Sequence, residues 1–209
     1  MSSHSVEQVI FDVASALLVP VLVLALIALA ITLYEIGAIA VEIVRRRHRS
    51  IPSLEHAVDE AQAAIEADDR PAATVALTPL ARSESMLATL QSLVSFAGLP
   101  GQRDRAAKSL AEFDYRSLRR LERTRILVRA GPALGLMGTL IPLSPALEAL
   151  AQGDVQKLSN NLRVAFSVTV LGLLIGAVAF AISLIRDRLY GQDLSDLEFV
   201  AARLIGDAP

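Results

Sequence analysis

Five hydroxyl side chains, Thr139, Ser144, Ser167, Thr169 and Ser183, lie within or beside stretches that hold no charged residue. A hydroxyl in such surroundings often bonds the carbonyl one turn back in its own helix. Its alternative chemistry is to offer a polar foothold to an ion or a water that crosses a dry segment. Residues 130–147 and 164–185 contain no Asp, Glu, His, Lys or Arg. Proton relays through membranes normally carry an ionisable group. If protons pass these hydroxyls, the titrating carboxylate must come from another polypeptide. Thr139 and Thr169 stand out because each lies near the middle of its apolar stretch and on a stripe of small residues.

Other chemistries find no support in the residues. The segment 131–142 (GPALGLMGTLIP) is glycine-rich, but it has no GK[ST] ending and follows no strand, so it is not a phosphate loop. His4, His48 and His56 are scattered and there is no cysteine. No nucleophile–base pair and no metal-ligand spacing is visible, so neither an enzyme nor a cofactor is expected. The net charge of -2, with basic and acidic residues interleaved, gives no nucleic-acid footprint.

The elements that hold these residues are membrane spans. The chain is 53% hydrophobic, and that content is segregated into three uncharged runs, 13–34, 130–147 and 164–185. A bilayer core of ~30 Å needs roughly 20 apolar helical residues, so each run is long enough to cross. Too little amphipathic surface remains to cover three buried helices in a soluble protein. Residues 28–30 (ALA) loosely resemble a signal cleavage site. Yet residues 1–12 carry Glu7 and Asp12 and no Lys or Arg, and the run exceeds a signal core, so it reads as a retained anchor.

Charge sets the expected orientation. Of the 20 Lys and Arg residues, only Lys157 and Arg163 lie between the second and third runs; the other 18 lie between the first two runs or after the third. The positive-inside rule places the N-terminus outside, and the long intervening segment and the C-terminus in the cytoplasm. The expected organisation is an outer N-terminus (1–12), a first span with its extension (13–45) and a cytoplasmic helical region (46–125). A core with the second and third spans (126–190) and a cytoplasmic tail (191–209) complete it.

The fold is predicted to be all-α. The first span continues inward, with Glu35 and Glu42 on one face and Ile36, Ile39 and Ile43 on another; Glu35 is a candidate for an inner vestibule. A turn at 50–52 precedes a helix over 54–67 with Ser53 as its N-cap. Residues 68–71 break that helix, Pro79 ends a short Ala-rich segment, and a second cytoplasmic helix covers 83–97. From Gln102 nothing interrupts the chain until Gly131, so one long helix should run straight into the second span.

Between membrane helices there is little hydrophobic drive, and close approach of small residues takes its place. The second span offers Gly131, Gly135 and Gly138, and the third offers Ala165, Thr169, Gly172, Gly176, Ala179 and Ser183. These stripes read as helix contacts or as the wall of a narrow passage, and they predict a homo-oligomer with the third spans turned inward.

The segments GPALGLMGTLIPL and AFSVTVLGLLIGAV resemble the MotA/TolQ/ExbB proton-channel family: a Gly-Leu-x-Gly-Thr in the penultimate span, then a small-rich last span with a mid-membrane threonine. The resemblance covers about residues 102–190. It implies a homopentamer in the inner membrane around single-span partners similar to ExbD, TolR or MotB, each carrying a membrane aspartate. It further implies that Thr139 and Thr169, with Ser167 beside them, line an ion route. Some members carry a glutamate near the outer start of the last span; here Val164 takes that place, beside Arg163. The alternative is a non-conducting scaffold that anchors partner proteins. A carrier is disfavoured, because three spans without an inverted repeat or a charged midplane site suit alternating access poorly.

Overall fold

The computed structural model describes residues 3–46 and 51–206, and these are helical with no strand among them. Seven α-helices follow in order: α1 (Ser3–Ala16), α2 (Leu18–Arg46), α3 (Ile51–Glu66), α4 (Arg70–Leu77), α5 (Glu84–Phe96), α6 (Gln102–Ala151) and α7 (Val155–Ile205), with one 3-10 turn at Thr78–Leu80. Three helical stretches are long and apolar enough to cross a membrane: Val6–Val44, Gln102–Ala151 and Val155–Ile205. The chain divides into two compact units, one of residues 1–38 and 123–183, the other of 39–122 and 184–209.

The first apolar run is not one unbroken helix. α1 ends at Ala16 and α2 starts at Leu18. Proline clashes with the carbonyl four residues back and offers it no N–H, and Pro20 stands four residues after Ala16. In α6, by contrast, Pro132, Pro142 and Pro145 all lie within a continuous helix.

In the first unit, Val21, Ala28, Leu127, Leu134, Ile175 and Ala179 form a narrow core. Around it large apolar side chains stay exposed, among them Leu136, Leu140, Phe166, Val170, Leu173 and Phe180. An exposed apolar belt on that scale marks a surface made for lipid or for other protein rather than for water.

The second unit packs like a soluble domain. Val58 and Ala61 of α3, Leu77 of α4, Met86, Leu90 and Leu93 of α5, Phe113 of α6 and Leu197 and Val200 of α7 share one buried cluster. Local signals cut its helices. Asp68 takes a positive φ of 60° after α3. Asp69 then caps α4, accepting from the Ala72 N–H at 3.0 Å, with Pro71 in the first turn. Ser83 caps α5 by accepting from the Met86 N–H at 3.1 Å. Gly98 and Gly101 turn the chain into α6 with φ of 77° and 70°, the left-handed region that glycine enters without strain.

Two expectations are corrected. Ser53 is not the cap of α3, because the helix already starts at Ile51; a proline in the first turn forfeits no helical bond, so Pro52 sits inside it. Nor is Ile39 separated from the glutamates of α2. Val21, Ala25, Ala28, Thr32, Ile39 and Arg46 fall on the shielded side with Glu35 and Glu42, while Ile36 and Ile43 are exposed. Alternate steps of four and three residues hold one helix face, and Ile39 follows Glu35 by four.

Candidate functional site

The site grows from the crossing of α6 and α7 within the first unit. Gly131, Gly135 and Gly138 of α6 meet Val168, Thr169, Gly172 and Gly176 of α7 at backbone distance. A Cβ added at Gly131 would stand 2.6 Å from the Gly172 carbonyl oxygen and 2.8 Å from the Gly176 nitrogen. One added at Gly172 would collide with the Gly131 carbonyl and stand 2.8 Å from the Gly135 Cα. At Gly138 the obstacle is the Val168 side chain, and at Gly176 the Pro132 ring at 2.8 Å. Glycine is required here by space, not by φ. The two stripes are spent on each other inside one chain, so they supply no glycine-to-glycine contact between subunits. That corrects their use as the basis for oligomer formation.

Close approach brings two hydroxyls to one acceptor. Thr169 Oγ1 donates across the helix pair to the Gly135 carbonyl at 3.1 Å and along its own helix to Ala165 at 3.2 Å. Thr139 Oγ1 donates to the Leu136 carbonyl at 2.8 Å and reaches Gly135 at 3.4 Å. Both threonines are half-buried. Each hydroxyl has a single proton to donate, directed to the backbone here, so each keeps lone pairs that can accept from a passing donor. The arrangement is a small polar notch, with no charge of its own, in an apolar wall.

The remaining candidates are placed elsewhere. Ser167 is exposed and donates to the Arg163 carbonyl at 2.8 Å, so it does not join the two threonines. Val164 and Arg163 are likewise exposed. Ser183 is buried at 8% exposure and is not open to bulk solvent. Glu35 is half-buried on the packed face of α2, and its Oε2 is shielded from solvent. One turn earlier, Thr32, 3% exposed, donates to the Ala28 carbonyl at 2.8 Å.

A second cluster escaped the sequence reading. In the second unit, Arg46 donates to both carboxylate oxygens of Asp193 at 2.9 and 2.8 Å and to Glu42 at 2.9 Å. Arg82 bridges Asp193 and Asp196, each at 2.9 Å. Asp193 and Asp196 are 1% and 3% exposed. Nearby, burial first and Glu42 second push the Tyr190 phenol above its ordinary value, against the pull of Arg186 and Arg120. The available signal was the placement of Asp193 and Asp196, which share a helical face with Leu197 and Val200.

Three membrane-length helices, an exposed apolar belt and a glycine-tight crossing without titratable groups define a multi-pass helical membrane protein. Residues 101–198, which carry α6 and most of α7, match the model of the MotA/TolQ/ExbB proton channel family. No curated protein matches the chain. The family is one of channels, not of enzymes.

Proposed function

We propose that the protein is the ion-conducting, stator-like subunit of an inner-membrane motor complex. In this reading, protons move down their gradient beside Thr139 and Thr169, and a single-span partner converts that movement into mechanical work. The observation that carries the proposal is the uncharged notch at Gly135 within a segment of the proton channel family. A wall that offers hydroxyls but no titratable group can hold water and a proton carrier in place, yet cannot itself store the proton. The store is a carboxylate, an aspartate brought into the membrane by the partner.

Several copies of the chain, five in this reading, surround the partner, with the N-terminus outside and the C-terminus in the cytoplasm. Glu35 lies where the apolar run of α2 ends and stands near the inner end of the route. The experiment is proton flux in liposomes that contain the purified subunit with and without its partner. Flux should require both. Full conduction by the subunit alone would overturn the division of labour proposed here.

A further inference from the structure

In the second unit, charge is sorted by element. Residues 51–69 hold six carboxylates, Glu55, Asp59, Glu60, Glu66, Asp68 and Asp69, and no Lys or Arg; all six are exposed. Residues 103–120 of α6 hold six basic residues against three acidic ones. There Arg105, Lys108 and Arg116 line an open cleft of about 450 Å³ between α5 and α6, together with Asp104, Glu112, Phe96 and Phe113. Glu112 pairs with Arg116 at 3.4 Å and with Lys108 at 3.9 Å, so Arg105 and the exposed Lys108 are the cations left most open to a partner. Tyr115 is 59% exposed on the same helix. Among the described residues, Glu55 and Glu60 form no ion pair within the chain, whereas Asp59 is held by Arg203 of α7 at 2.7 Å.

We infer that the acidic face of α3 docks on the basic rim of α6 in a second copy of this chain, so that each subunit's α3 meets its neighbour's α6 around a ring. The inference rests on the oligomeric reading above and specifies its cytoplasmic contact. Two different, complementary patches on one chain make a heterologous contact, which forms a ring where its rotation closes.

The levels of the two patches agree. Arg46 binds Asp193 and Asp59 binds Arg203, so α3 runs along α7 in the same direction. Gln102 donates to the Ile205 carbonyl at 3.1 Å, only two residues beyond Arg203, which sets the start of α6 level with Asp59 to within about one helical turn. Counting back along α7 from Arg203, Glu55 lies ~6 Å beyond Asp59 and Lys108 ~9 Å beyond Gln102. A ring whose axis runs along α7 keeps every residue's level, so Glu55 and Glu60 of one copy come opposite Lys108 and Arg105 of the next.

Lipid does not fit this rim. Lys108 precedes the apolar run at residue 130 by 22 residues, ~33 Å along α6, several times the ~8 Å Debye length over which membrane charge acts.

The chain has no cysteine, so introduced ones report without background. Copies with His56→Cys and copies with Ala111→Cys, co-expressed and treated with a short bis-maleimide, should cross-link to each other and not to themselves. Arg105→Glu with Lys108→Glu should lower the yield at least tenfold, and adding Glu55→Lys with Glu60→Lys should restore it. Retained helicity and thermal midpoint in these surface variants separate lost docking from lost folding. Self-linking of either single variant, or a yield unchanged by the reversals, overturns the contact. If native mass spectrometry still shows the oligomer but the mixed link is absent, this interface is wrong and the functional reading stands. If only monomer is found, both fall.

Discussion

Thr169 of α7 donates to the carbonyl of Gly135 in α6 at 3.1 Å, the one hydroxyl of the candidate site that bonds across the helix pair. Thr139 approaches the same oxygen from its own helix at 3.4 Å. Their roles therefore separate. Both hydroxyls offer lone pairs to the proposed route, but only Thr169 also ties α6 to α7.

Valine in place of either threonine keeps the shape and removes the hydroxyl. Loss of a polar partner in a dry site costs about 1–3 kcal/mol, enough to slow passage by roughly tenfold or more. Partner-dependent flux should fall by that factor for Thr139→Val and Thr169→Val, with serine tolerated better at both. Thr169→Val should also lower the thermal midpoint of the subunit in detergent, since an interhelical membrane hydrogen bond contributes about 0.6–2 kcal/mol. Unchanged flux in both valine variants would remove the notch from the mechanism.

The glycine crossing yields a stability prediction. Gly172→Ala and Gly131→Ala force backbones apart, and overpacking of this kind costs typically about 1–3 kcal/mol. Gly37 is the control, because a Cβ there meets nothing within 4 Å. Gly37→Ala should be neutral or stabilising by up to about 1 kcal/mol. Thermal melts of the detergent-solubilised monomer would show the ordering. Loss of oligomer without any loss of monomer stability would contradict the packing within one chain.

Much of this was legible in the sequence, and the reasons are physical. A bilayer demands long uncharged runs, so three of them announced the spans, and Asp68–Pro71 and Gly98–Gly101 marked real breaks because proline and left-handed backbone leave few alternatives. The small-residue stripes showed that something approaches closely, but not what. A stripe reads the same whether its partner is the next helix or the next subunit, and only Gly131 against Gly172 settles it. Asp193 and Asp196 on the apolar face with Leu197 and Val200 signalled buried charge, but their partner Arg46 was out of reach because 147 residues separate it from Asp193.

That pair carries its own prediction. Asp193 holds Arg46 and Arg82 at once, and all three side chains are largely buried. Removing one member of a buried ion network costs about 3–5 kcal/mol because it strands the others' charge. Asp193→Ala should lower the thermal midpoint sharply, and Asp193→Asn less, since the amide oxygen still accepts. Arg46→Met combined with Asp193→Leu should recover part of the loss. Equal damage from the single and the double variants would show that the charges are not coupled.

Orientation is tested by labelling. Cysteine at Asn160, exposed in the connection between the second and third spans, should react with an impermeant maleimide in intact cells. Cysteine at Ala63, exposed on α3, should react only after the membrane is opened. Ser83 is unsuitable as the inner reporter because it caps α5. Labelling of Ala63→Cys in sealed cells would invert the proposed topology.

Tyr190 provides a readout of the second unit that depends on pH. Burial, reinforced by Glu42, raises its phenol above the ordinary tyrosine value. A raised folded-state value means that folding favours the neutral phenol: the associated stability is fully present below pH ~10 and is lost as pH rises through the elevated value. The difference in tyrosinate absorbance between the wild type and Tyr190→Phe should therefore develop only at pH above that of an ordinary tyrosine. Asp193→Ala, by loosening the helices that bury the phenol, should bring that difference back toward pH 10. A Tyr190 signal that rises at the ordinary pH in the intact protein would mean that the phenol is open to water. The packing of α7 against α2 and α6 in this unit would then be looser than the Arg46–Asp193 and Tyr190–Arg120 contacts require.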